Sequence, residues 1–174
     1  MRSAVVAVLL LALASSTLAI QCSLPKSCPV YKQCDSRWGG DKLGSDSTIC
    51  KVGCLMSSVS SAMAGYGKTI NGQTATPQTL NSFLKSNGGY QGNLFIWGAV
   101  SRFGLVYEGQ PTDKTAIKNA VCAGKIAILN VNNGGHWVLA TSANDAGFGV
   151  NDSGYSKTSY SNAEVVRAGI YRLG

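Results

Sequence analysis

Histidine is nearly absent from this chain. Of 174 residues only His136 carries an imidazole, so proton shuttling by paired histidines, the common ribonuclease device, is excluded. A zinc site is equally poorly served, because six cysteines include no Cys-x2-Cys pair and one histidine cannot complete the usual ligand spacing. Glutamate is scarce too: Glu108 and Glu164 sit in no informative motif, which leaves glycoside hydrolysis without an evident carboxylate pair. No run of Lys or Arg forms a stripe that could track phosphates, so nucleic acid is not an expected partner. Beyond the first residues, no apolar run approaches the ~20 residues that a membrane span needs. No metal or cofactor is implied.

What is present begins with a leader. Arg2, the apolar stretch Ala4 to Ala14, and small residues through Ser15, Ser16 and Ala19 read as a secretory signal over residues 1–20, cleaved near Ala19 or Ile20. The expected product is a secreted, extracellular, monomeric domain over residues 21–174, large enough to bury a core. Its formal charge, +7 for the whole chain, favours encounter with acidic surfaces such as bacterial walls, anionic lipid or nucleic acid, and equally serves plain solubility.

Cys22, Cys28, Cys34, Cys50, Cys54 and Cys122 would pair as three disulfides in an exported chain. If Cys54 is kept as a free thiol, at least one other cysteine must also stay unbridged. The crowding of four cysteines between Cys22 and Cys50 favours bridges that staple the N-terminal segment.

Helical patterns dominate to about residue 123. One runs from Cys54 to Gly67, with Leu55, Val59, Ala62, Met63 and Tyr66 on one face and small residues on the other, which predicts burial nearly all round. Thr76-Pro77 reads as an N-cap and first helical position, with Leu80, Phe83 and Leu84 inward and Gly88-Gly89 as the stop. Shorter helices are expected over 94–102 and 113–122. Strand patterns then follow at 125–131, 136–141, 148–151 and 165–173, separated by Gly, Asn, Asp and Ser clusters. Helices followed by strands predict an α+β domain.

The chemistry concentrates in three places. Cys54, at the head of its helix, meets unsatisfied N–H groups and the positive end of the helix dipole, both of which favour a thiolate. Gly53 before it permits a tight or positive-φ turn. The alternative is a Cys54 that is buried, or bridged to Cys50. His136 follows Gly134-Gly135, which strip side chains from one side of the ring, and precedes Trp137, which would shield it. Such an imidazole could take the thiol proton and return it to a leaving amine. If residues 136–143 and 148–152 form a hairpin, Asp152 falls opposite His136 and can orient it; Asn151 takes that place if the register slips by one. Trp38, Trp97, Tyr66 and Tyr90 are aromatics for either the core or a cleft.

Tyr31-Lys32-Gln33-Cys34-Asp35-Ser36-Arg37-Trp38, Leu43-Gly44, Gly53-Cys54, Thr76-Pro77, Gly135-His136-Trp137-Val138 and Val150-Asn151-Asp152 resemble the ordered blocks of papain-fold cysteine peptidases related to the double-glycine leader peptidases of bacteriocin exporters. The resemblance implies a papain-like fold, with a helical part followed by an antiparallel sheet. It also implies Cys54 as nucleophile, His136 as base, Asp152 as orienting acid and Gln33 as oxyanion donor beside the Cys54 N–H. A preorganised amide donor in such a site is worth about 3 kcal/mol. A disulfide at Cys34 would either fix or displace Gln33. The implied activity is hydrolysis of peptide or amide bonds, in proteins or in bacterial wall peptidoglycan. The competing expectation is a catalytically inactive, disulfide-stapled module that binds cell wall or carbohydrate, in which Cys54 would be bridged.

Overall fold

A computed structural model describes residues 19–174, and the expected leader lies almost wholly outside the described residues. Within them the chain is α+β. Eleven strands are present: β1 (Gln21–Ser23), β2 (Thr69–Ile70), β3 (Gln73–Thr74), β4 (Tyr90–Gln91), β5 (Leu94–Phe95), β6 (Leu105–Gly109), β7 (Ile126–Val131), β8 (His136–Asn144), β9 (Gly147–Asn151), β10 (Ser159–Ser161) and β11 (Arg167–Leu173). The helices are α1 (Ile49–Val52), α2 (Cys54–Gly65), α3 (Pro77–Ser86) and α4 (Lys114–Cys122).

One antiparallel sheet runs β10-β9-β8-β7-β11-β6, and β1 adds to the end of β8. Every residue of β7 is buried, and since successive side chains of a strand point to opposite faces, both faces are covered. Helices α2 and α4 both pack on β7 and β8. The residues Met56 to Met63 of α2 are all buried, as its small, uncharged faces predict. Leu80 and Leu84 of α3 are buried as well, while Phe83 is only partly covered.

Caps explain where two helices start. Thr76 and Thr79 form a capping box ahead of Pro77, and the Asp113 carboxylate accepts from the Ala116 N–H at 2.7 Å. Elsewhere the helical expectation before residue 123 needs correction. Residues 94–102 do not form an α-helix: Leu94 and Phe95 pair with Tyr90 and Gln91, and only Trp97–Phe103 coils, as a 3-10 segment. Strand β6 follows at once and pairs with β11.

Two disulfides close the chain, Cys22–Cys122 and Cys34–Cys50, while Cys28 and Cys54 are free. The first ties β1 to the end of α4, so the stapling reaches well beyond the crowded N-terminal cysteines.

Candidate active site

A cleft of about 480 Å³ opens where the heads of α2 and β8 meet, and Gln33, Cys54, His136, Trp137, Gly154 and Tyr155 are among its walls. Cys54 is the first residue of α2 and is half-buried. Its helix has no side-chain N-cap, since Gly53 occupies that position, and the Cys54 N–H donates to no group among the described residues. Gly53 is required for space rather than for conformation. Its φ is −88°, not positive, but a Cβ there would lie 2.5 Å from the Ile49 carbonyl oxygen. The turn from α1 into α2 therefore packs tightly and sets Cys54, the first residue of α2, on the wall of the cleft.

His136 is held from behind. The Asn130 side-chain amide, on β7, donates to the carbonyl oxygens of Gly134 and His136 at 3.0 and 3.1 Å, which shapes the turn between β7 and β8. Nε2 of His136 meets Asp152 Oδ1 at 2.7 Å, which leaves Nδ1 as the other polar atom of the ring, and Cys54 lines the same cleft. Gly154 leaves room for the imidazole; a Cβ there would stand 2.8 Å from His136 Cε1. The exposed Tyr155 ring meets it edge-on, with centroids 5.0 Å apart.

Asp152 is not directly opposite His136. Strand β8 pairs with β9 as Leu139↔Asn151 and Ala140↔Val150, then shifts by one before Ser142↔Gly149, so Asp152 follows the last β9 residue and reaches His136 diagonally. Asn151 takes no part; its amide donates to the Cys28 carbonyl oxygen at 2.8 Å. The Asp152 carboxylate is almost wholly buried and accepts four hydrogen bonds, from His136, from the Gly154 and Tyr155 N–H groups, and from the Tyr160 hydroxyl on β10 at 2.8 Å.

Burial works against ionisation of Asp152, but the bonds from His136, Tyr155, Tyr160 and Gly154 outweigh it and hold the pKa at about 2. Burial likewise disfavours the imidazolium of His136, yet its bond to Asp152 and the influence of the neighbouring Cys54 and Asp152 bring its pKa up to about 9. At neutral pH the pair is therefore carboxylate and imidazolium.

A stability prediction follows for Asp152. Because its folded-state pKa lies below that of a free aspartate, the stabilisation is complete above about pH 4 and is lost as pH falls through about 2. Urea unfolding at stepped pH should show a loss of about 2 kcal/mol across that window, and Asp152→Asn should flatten the slope there. An unchanged slope in the variant would assign the acid sensitivity to other carboxylates.

Gln33 is buried, and both ends of its amide are held. Nε2 donates to the Cys50 carbonyl oxygen at 2.7 Å, and Oε1 accepts from the Ser153 hydroxyl at 3.3 Å. One N–H of the amide remains for a ligand in the cleft. The backbone around it is strapped to the Asp152 loop: the Gln33 N–H donates to the Ser153 carbonyl, and Lys32 Nζ donates to the carbonyls of Asp152 and Tyr155 at 2.8 and 2.6 Å. The Cys34–Cys50 bridge thus fixes the glutamine rather than displacing it.

Cys54, His136, Asp152 and Gln33 are accordingly brought together. Of the aromatics singled out from sequence, none lines this cleft. Trp38 is buried with its indole N–H on the Lys32 carbonyl, Tyr90 bonds Asn81, Tyr66 packs against the core, and Trp97 stacks among Tyr107, Trp137 and Tyr171. The cleft aromatics are Trp137 and Tyr155. Among the described residues no cluster of three or more His, Cys, Asp or Glu is placed to hold a metal ion. Compared with protein-family models, with curated proteins and with solved structures, the chain finds no match in any of the three.

Proposed function

We propose that this protein is a secreted cysteine hydrolase of papain-like fold that cleaves peptide or amide bonds, with peptides of the bacterial wall as candidate substrates. One observation carries the reading: an unbridged thiol at a helix start, an imidazole bonded to a buried carboxylate, and an anchored amide donor line the same cleft. Compartment and positive charge support the wall as target.

Chemically, the Cys54 sulfur attacks the substrate carbonyl carbon, forming a C–S bond while the carbonyl π electrons move to oxygen. The second N–H of Gln33 and the Cys54 N–H receive that oxyanion. As the tetrahedral intermediate collapses, the C–N bond breaks and His136 gives its proton to the departing amine. Neutral His136 then takes a proton from water, whose oxygen attacks the thioester and releases the acid and the Cys54 thiolate. Asp152 keeps the ring oriented and compensates its charge throughout.

The test is alkylation of the native protein by iodoacetamide at neutral pH, followed by peptide mapping. Cys54 should react fast and Cys28 slowly, because burial pushes the Cys28 thiol up to about 11. Casein and purified walls then report turnover in the unmodified protein and its loss on labelling. Retention of turnover with Cys54 fully alkylated would refute the hydrolase; a native protein with no free thiol would favour the stapled binding module.

A further inference from the structure

Lys51 stands on the cleft wall three residues before Cys54 and next in sequence to Cys50, whose bridge to Cys34 also lines the cleft. It is exposed, and its backbone is fixed on both sides: its N–H donates to the Thr48 carbonyl at 3.0 Å, and its neighbour Cys50 is bridged. Several other cations have partners. Lys32 holds two carbonyls, Lys125 pairs with Glu108, Lys157 with Glu164 and Arg37 with Asp35. Among the described residues Lys51 has no such partner, and no Asp or Glu lines the cleft. Its ammonium is free to meet something that enters.

The charges of the site say what that is. At neutral pH the charges of His136 and Asp152 offset each other, and Lys51 is the other charged side chain on the lining of the cleft. A substrate carboxylate that enters therefore meets the Lys51 cation and no lining carboxylate.

We propose that Lys51 makes this cleft selective for peptides carrying a carboxylate close to the scissile bond. The inference rests on the hydrolase reading for its substrate, but not for its anion preference. Stem peptides of a bacterial wall, which carry free carboxylates, belong to this class. The carboxylate can come from an acidic side chain or from a free C-terminus.

Two measurements on the full chain decide it. The first compares alkylation of Cys54 by anionic iodoacetate and neutral iodoacetamide, followed by peptide mapping. Lys51→Met should lower the iodoacetate rate about threefold and Lys51→Glu about tenfold, with iodoacetamide unchanged and the difference shrinking at high salt. Equal losses with both reagents would mean that Lys51 supports the thiolate generally, and no loss with either would mean that it is a solvated bystander; each overturns the proposal. The second compares kcat/KM for matched peptides, Glu against Gln and free acid against C-terminal amide. The arm whose acidic preference falls in Lys51→Met identifies the source of the carboxylate, while cooperative urea unfolding at the midpoint of the unaltered protein shows that the variant is folded. Loss of preference in neither arm overturns substrate selectivity. Absence of turnover on every peptide instead refutes the hydrolase reading, and the alkylation ratio then decides for Lys51 alone.

Discussion

Replacing His136 with alanine is expected to lower kcat by about 10⁴-fold or more while the protein still unfolds cooperatively. No second imidazole exists in the chain to substitute for it. The fold should survive because Asp152 is not orphaned: the Gly154 and Tyr155 N–H groups and the Tyr160 hydroxyl still bond its two oxygens. Cys54→Ser should be as severe, since the hydroxyl is a far weaker nucleophile in the same position. Asp152→Ala should leave weak activity, because it orients rather than reacts. The pH profile gives an independent readout. His136 must be protonated to deliver its proton to the amine, so activity should hold through neutrality and decline as pH rises through about 9. Steady-state kinetics on a single peptide checks all of these, and full activity in His136→Ala would end the proposed mechanism.

The residues of this site differ in how far the sequence alone exposes them. Cys54 and His136 stand out because their types are scarce or sit in telling places: one histidine in the chain, one cysteine after a glycine at a helix start. Asp152 follows from hairpin pairing, although a register shift between Ala140 and Ser142 makes its approach diagonal. Gln33 is visible only through resemblance, since its partners, Cys50 and Ser153, lie 17 and 120 residues away. Asn130, Gly154 and Tyr160 carry no local signal for the same reason. A polar residue in an apolar strand, a glycine in a Ser-rich loop and a tyrosine on an edge strand look unremarkable until the sheet is assembled.

The fold divides along similar lines. Helices α3 and α4 carry local start signals in Thr76-Pro77 and Asp113, and β7 is a short apolar run, so each is specified by its own residues. The two-residue hairpins, β1 and β6 are specified by partners: Leu94-Phe95 extends because Tyr90-Gln91 lies across from it, and Leu105–Gly109 because β11 has a free edge.

The Gln33 amide and the bridge beside it carry the second large effect. Gln33→Ala should reduce kcat by about 10²-fold to 10³-fold with little change in KM, because the donor acts on an oxyanion present only in the transition state. The Cys34–Cys50 bridge should then matter for catalysis as well as folding. Removing it as Cys34→Ala with Cys50→Ala costs about 3 kcal/mol of stability for a loop of this size. It also frees the Cys50 carbonyl on which the Gln33 amide rests. Measured at a temperature where the double variant is still folded, kcat should fall between those of the intact protein and Gln33→Ala. Adding Gln33→Ala to the bridge-less background should then cost less than it does alone, which is the coupling expected of groups that act together. Wild-type kcat in the bridge-less protein would reduce the disulfide to a staple. The same logic sets the response to thiols: mild reductant keeps Cys54 free and raises activity, whereas reductant strong enough to open Cys34–Cys50 lowers it by loosening the oxyanion donor.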